Sequence, residues 1–274
     1  MRPLQHIFKC MDNGKTVLYT WFSLMHTRID LILCDKEEKE LKAIAARIYD
    51  NMLALEETAN YFNPRSELSE INAKAFDEAV AVSPSLFTMI WQCLDYNKMT
   101  LGYFDITVKS DHHTPDMPGT ILLDIENSSI RYQQSGTRID LSGYLKGYAL
   151  EAVKRILDDF HIANALINIG NSSVFALGNH PHGDGWKISH SFPGDRTKEP
   201  ICLRDQCLTT SGNDTTDRKH LISPYTGTYV EGVGGVSVLT KQATAGEALS
   251  TALAVAPLEQ RSQILENFEA TAYE

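Results

Sequence analysis

An α+β fold is predicted by three features of this 274-residue sequence. Strand-rich and helix-rich regions are grouped rather than strictly alternating, which argues against a doubly wound parallel sheet. Several stretches are dense in Val, Ile, Thr and aromatic residues and end at Gly or Asn turns, as strands do. Others repeat apolar residues at helical spacing. Apolar residues make up 43% and charged residues 22%, the composition of a globular chain with ample material for a core.

Taken in order, residues 16–34 read as two strands broken near Met25-His26-Thr27. Leu41, Ile44, Ala45, Ile48, Met52 and Leu55 then repeat at i, i+3, i+4, i+7 spacing and predict a helix. Ser83 and Pro84 supply an N-cap and a first-turn proline for a second helix. It runs through Leu86, Ile90 and Leu94 and stops near Gly102. Residues 120–140 predict short strands, with turns at Asn127-Ser128-Ser129 and Ser135-Gly136. A helix over about 145–160 and a strand at 165–169 follow. The stretch 173–240 is mostly β, punctuated by turns at His182-Gly183-Asp184-Gly185 and Ser211-Gly212. Two helices, 243–256 and 257–269, close the chain and are parted by Pro257.

Lys+Arg 25 against Asp+Glu 35 leaves a net charge of -10, the wrong sign for a general nucleic-acid or anionic-membrane binder. The five cysteines are scattered, with no C-x-x-C pair, and read as reduced, mostly buried thiols. No stretch of about 18 apolar residues is present to serve as a transmembrane segment. The first residues have neither an apolar run nor a small-residue cleavage site, so the chain as written is expected in the cytoplasm; an exported form would need a leader outside this sequence.

Several constellations carry candidate chemistry. Glu247 and Thr251 stand four residues apart, so a helix points both oxygens one way, as two hard ligands for Mg²⁺. The plainer reading is a surface glutamate above an ordinary threonine. Residues 139–151 lead from a strand through a glycine turn into a helix, where backbone amides and Lys146 suit a phosphate. A solvated lysine at a helix start would look the same, and the spacing matches neither a P-loop nor G-x-G-x-x-G. Gly170, in Asn168-Ile169-Gly170-Asn171, would let a ligand approach the backbone. Thr209-Thr210-Ser211-Gly212 precedes Arg218-Lys219-His220, which places hydroxyls and a histidine around a turn. His220 suits acid–base work, although a lone histidine is often only a hydrogen-bonding residue. His112, His113 and Asp116 have metal-ligand chemistry but lie in a Pro-rich loop and are expected to face water. Asn179-His180-Pro181-His182 reads as a hairpin loop rather than a zinc site. No G-x-S-x-G elbow is present.

In chain order these stretches resemble the FAD:protein FMN transferases (ApbE-type flavin transferases). The matches are Met25–Thr27, Phe62–Asn72, Gly102–Val108, Asp140–Tyr148, Asn168–Asn171, Ser211-Gly212, His220–Gly227 and Ala245–Leu253, nearly the whole chain. The resemblance implies one T-fold-like domain over 1–274, antiparallel sheets with packed helices, with residues 1–15 a loose lead-in. It implies FAD as substrate in a cleft and Mg²⁺ on its pyrophosphate. A threonine or serine hydroxyl of a target protein attacks the FMN-side phosphorus and AMP departs; some relatives instead hydrolyse FAD to FMN and AMP.

Carried onto this chain, the resemblance assigns the metal to Glu247, Thr251 and the carbonyl of Leu145. It assigns FAD to Met25, Thr27, Phe62, Ser66, Asp105, Asp140, Lys146, Gly147, Gly170 and Ser211. His220 and Lys146 take the catalytic positions. Five residues depart from the family pattern. Glu247 and Ser223 stand where the family has aspartates, and His26, Ser142 and Asn171 where it has glycines. The departures leave three readings open: a working transferase, a catalytically impaired FAD- or nucleotide-binding homologue, and an FAD pyrophosphatase.

Overall fold

The computed structural model describes residues 4–189, 199–213 and 220–273. Its framework is an eight-stranded sheet with every neighbouring pair antiparallel. The strands are β1 (Gln5–Cys10), β2 (Thr16–Leu24), β3 (Thr27–Cys34), β7 (Ala165–Ile169), β8 (Ser173–Leu177), β11 (Gln206–Asn213), β12 (Gly234–Thr240) and β13 (Ala270–Tyr273), adjacent in that order. Three-stranded and two-stranded ribbons accompany it: β4 (Val80–Ala81), β5 (Ile121–Asp124) and β6 (Ser129–Tyr132), then β9 (Trp186–Ile188) and β10 (Ile201–Leu203). The helices are α1 (Glu38–Ala59), α2 (Glu67–Lys74), α3 (Pro84–Met99), α4 (Leu145–Asp159), α5 (Ala243–Val255) and α6 (Leu258–Leu265). The α+β expectation stands.

Alternation sorts the strands between two cores. Ile29, Leu31, Leu33, Ile167, Ile169 and Phe175 join the large core with the apolar stripes of α1, α4 and α5. On the opposite face Cys34, Val174, Ala176 and Leu208 pack with Trp186 and Leu203 of the β9–β10 ribbon. The stripe expected for α1, from Leu41 to Leu55, is buried as a unit. Helix α3 starts as expected, with the Ser83 hydroxyl accepting from the Leu86 amide and Pro84 in the first turn. It ends where Gly102, at φ 81°, donates its amide to the Asn97 carbonyl.

The structure corrects the expected elements in four places. Residues Gln5–Cys10 are no loose lead-in but an edge strand paired with β2. Helix α2, unpredicted, is capped by Ser66. Ser211 and Gly212 lie inside β11 rather than in a turn. The last helix stops at Leu265, and Ala270–Tyr273 pairs with β12. Arg218 and Lys219 lie outside the described residues. Of the cysteines, Cys34, Cys93 and Cys207 are buried thiols, whereas Cys10 and Cys202 are exposed.

The β2–β3 hairpin matters for the cleft below. Leu24 pairs with Thr27, leaving Met25 and His26 as a two-residue loop with φ of 53° and 55°. Both residues positive is the conformation that favours Gly or Asn, and a histidine there is strained. His26→Gly is therefore expected to stabilise the chain by about 1 kcal/mol, read as a higher thermal midpoint. A lower midpoint would show that the ring contact described below outweighs the backbone relief.

Candidate active site

Seven stretches of the chain, strand β11 and helix α5 among them, converge on one cleft of about 670 Å³. Its wall includes Phe62, Asp105, Lys109, Asp140, Ser142, Lys146, Gly170, Ser172, Ser211, His220, Glu247 and Thr251. A neighbouring lobe of about 260 Å³ shares Phe62, Ser142, Lys146, Gly170 and Ser172 with it and adds Met25, His26, Thr27 and Leu145. Most residues expected at the site thus meet here, although they come from segments more than 200 positions apart.

Glu247 is the most constrained of them. It is 4% exposed on α5, and one carboxylate oxygen accepts from the Ser173 hydroxyl. Burial pushes its pKa up, against the opposing pull of Lys146 and the Ser173 hydrogen bond. Thr251 lies one turn on, and its hydroxyl is 3.2 Å from that of Ser211. Ser211 is also 2.8 Å from the Ser250 hydroxyl. A buried carboxylate whose charge is poorly compensated, with hydroxyls one turn away, is a fitting donor set for a small hard cation. Leu145, the first residue of α4, borders the smaller lobe. Lys146 follows it and donates to the Ser172 hydroxyl in the β7–β8 turn.

Gly147 lies elsewhere than expected. It is absent from the cleft wall; a Cβ there would stand 2.7 Å from both the Ala243 carbonyl oxygen and Cγ of Glu247. Its place is the α4–α5 contact, where it makes room for the glutamate. Ser66 is likewise off the cleft. It is 2% exposed, donates to the Asn60 carbonyl and accepts from the Ser69 amide, so it caps α2. Gly170, at φ 63°, touches Thr27: a Cβ there would meet the Thr27 hydroxyl at 2.4 Å. That contact joins the β2–β3 and β7–β8 turns beneath the smaller lobe.

The departures from the family pattern find local explanations. Asn171 holds φ 59° and donates its amide to its neighbour Asn168, a conformation asparagine tolerates. Ser142 is outside the left-handed region, and its amide and hydroxyl both donate to Asp140, at 2.8 and 2.5 Å. His26 borders the smaller lobe with its ring edge-on to Phe62, centroids 5.8 Å apart. Ser223 donates its amide to the Thr228 carbonyl and accepts from the Gly227 amide within a turn, with Ile222 and Pro224 rather than Ser223 on the cleft wall.

His113 contradicts the expectation that it faces water. Its side chain is 8% exposed and its Nε2 is 2.8 Å from Asp105, whose own side chain is 0% exposed. The other Asp105 oxygen accepts from the Thr107 amide and hydroxyl, at 2.6 and 2.7 Å. His113→Ala strands a buried carboxylate oxygen, so it is expected to cost about 2 kcal/mol, measured by urea denaturation. A loss under a few tenths would mean that water replaces the imidazole. Lys109 and Ser173 were also not anticipated. Lys109 directly follows a matched stretch, the one signal that pointed to it; Ser173 had none.

Among the described residues no helix is long and apolar enough to cross a membrane. The ApbE family model matches residues 25–273. The FAD:protein FMN transferase of Chlamydia trachomatis serovar D is 26% identical over 239 residues, covering 76% of this chain and 73% of that protein. The FAD:protein FMN transferase of Chlamydia muridarum is 25% identical over 278 residues, covering 89% and 85%. Flavin Transferase ApbE from Vibrio cholerae shares the fold with a TM-score of 0.78 at 20% identity, covering 98% of this chain and 93% of that one. The ApbE protein of Thermotoga maritima gives 0.78 at 21% identity with the same coverage.

Proposed function

The chain belongs to the ApbE family, and on that premise we propose that it transfers FMN from FAD to a threonine or serine hydroxyl of a target protein, releasing AMP. The observation that carries this reading is the meeting of Glu247, Thr251, Lys146 and His220 on one cleft wall. These are a buried carboxylate, a hydroxyl, a cation and an imidazole, the groups that phosphoryl-type transfer needs.

In this reading Glu247, Thr251 and the Leu145 carbonyl would hold Mg²⁺. Bound there, the ion would neutralise charge on the pyrophosphate. Lys146, held by Ser172 beside the start of α4, binds a phosphate oxygen as a point charge. Phe62 stands 63% exposed on the wall and gives the planar flavin ring a surface to lie on. His220 takes the proton of the attacking hydroxyl as the new P–O bond forms and the bond to AMP breaks.

The test is mass spectrometry after incubating the chain with FAD, Mg²⁺ and an acceptor domain known to be competent. AMP together with acceptor carrying FMN is the expected result. Free FMN and AMP without acceptor would replace the reading by the pyrophosphatase. Intact FAD would replace it by the binding homologue.

A further inference from the structure

The cleft holds a second cation that the transfer chemistry leaves unused. Lys109 follows the Asp105–Thr107 turn, and its ammonium is 2.5 Å from the carboxylate of Asp140. Asp140 is a fixed anchor: its side chain is 8% exposed, and its other oxygen accepts from both the amide and the hydroxyl of Ser142. The same ammonium stands 4.8 Å from the ring centroid of Tyr61 and 5.2 Å from that of Phe62. One side chain therefore joins three separate segments of the cleft: the end of α1 with its following turn, the 105–109 loop and the 140–142 loop.

Phe62 needs such a hold. With 63% of it exposed, it has little packing to choose its rotamer, and an unrestrained ring loses side-chain entropy when a planar ligand stacks on it. Its backbone is already tethered, because the Phe62 amide donates to the Asn60 side chain at 2.9 Å. Lys109 acts on the ring itself, through the attraction of a cation to an aromatic quadrupole. His26 and Tyr61 meet the same ring edge-on, at 5.8 and 5.3 Å, and complete its surroundings.

We propose that Lys109 is a positioning residue that pre-sets Phe62 as the platform for the isoalloxazine ring of FAD, using Asp140 as its anchor. The proposal rests on the FMN-transfer reading. It concerns the flavin half of the substrate, and assigns Lys109 no contact with the phosphates.

FAD binding to the full chain, without acceptor, is followed by flavin fluorescence, and ADP binding by calorimetry. Lys109→Met is expected to raise the Kd for FAD about tenfold and to leave that for ADP within about twofold. Unchanged ADP binding also shows that the variant is folded. Lys109→Arg restores FAD affinity, since a guanidinium both pairs with a carboxylate and stacks on a ring. Phe62→Ala weakens FAD binding too, and adding Lys109→Met to it causes no further loss, because both act through one ring. Equal losses for FAD and ADP, additive losses in the double variant, or full FAD affinity in Lys109→Met would each overturn the proposal. A wild-type chain that binds ADP but not FAD would overturn the transfer reading itself, a result distinct from any of these.

Discussion

Glu247→Gln is expected to lower FMN transfer on the order of 100-fold while raising the thermal midpoint of the metal-free protein. The two effects have one origin. The carboxylate is 4% exposed, and burial raises its pKa despite Lys146 and the Ser173 hydroxyl. A carboxyl group with a raised pKa in the folded state favours the fold when protonated. That contribution is complete below the ordinary carboxylate value of 4.5 and is lost as pH rises through the raised one. Glutamine keeps an oxygen to accept from Ser173 and removes the cost of the buried charge. Its stabilisation should therefore appear at pH 7 with a chelator present and vanish on acidification.

The same substitution removes the negative ligand proposed for Mg²⁺. A transition state that loses about 2.7 kcal/mol of stabilisation reacts about 100-fold more slowly. Transfer is read from AMP release and acceptor mass, stability from thermal melts. Full transfer by the variant would take Glu247 out of the mechanism. An unchanged midpoint would mean that its charge is compensated in the free protein.

Gly147→Ala is expected to destabilise the chain by about 3 kcal/mol and to impair transfer, although Gly147 does not face the cleft. The added methyl would stand 2.7 Å from the Ala243 carbonyl oxygen, 2.9 Å from its carbon and 2.7 Å from Cγ of Glu247. Backbone on α5 cannot yield cheaply, so α4 and α5 must separate or the glutamate must move. Separation carries the Leu145 carbonyl of α4 away from Glu247 and Thr251, both on α5; movement of the glutamate takes its carboxylate away from Thr251. Urea denaturation measures the stability, and the Mg²⁺ concentration for half-maximal transfer measures the displacement. A variant as stable as wild type would show that the helices adjust without strain.

Position 147, assigned by resemblance to the nucleotide loop, lies instead at the α4–α5 contact, against the Ala243 carbonyl and Cγ of Glu247.

What the sequence conveyed about the fold depended on how regularly burial repeats. Helix α1 buries Leu41, Ile44, Ala45, Ile48, Met52 and Leu55 on one stripe, and its pattern was unambiguous. Helix α2 has eight residues and buries Leu68 and Ile71, too few to establish a period. Strand β1 is exposed along most of its length, so it shows no apolar alternation. Gly212 suggested a turn because glycine commonly makes one. In the structure it is needed inside β11, where a Cβ would meet the Gly234 carbonyl oxygen of the adjacent strand at 2.3 Å.

The candidate site divides along the same line. Glu247 with Thr251, and Lys146 after a glycine turn, were readable because one helix turn or one loop sets their spacing locally. The ordered motifs added the family and, with it, most residues that line the cleft. Tertiary structure alone decided which residues touch: His113 on Asp105, Ser173 on Glu247, Lys109 between Asp140 and two rings, Gly147 against α5. Each of these pairs except His113–Asp105 is separated by more than 30 residues, and even that one depends on a loop folding back. Local spacing specifies which way a side chain leaves its own helix or strand; whether it is buried and what it meets are set by how distant elements pack.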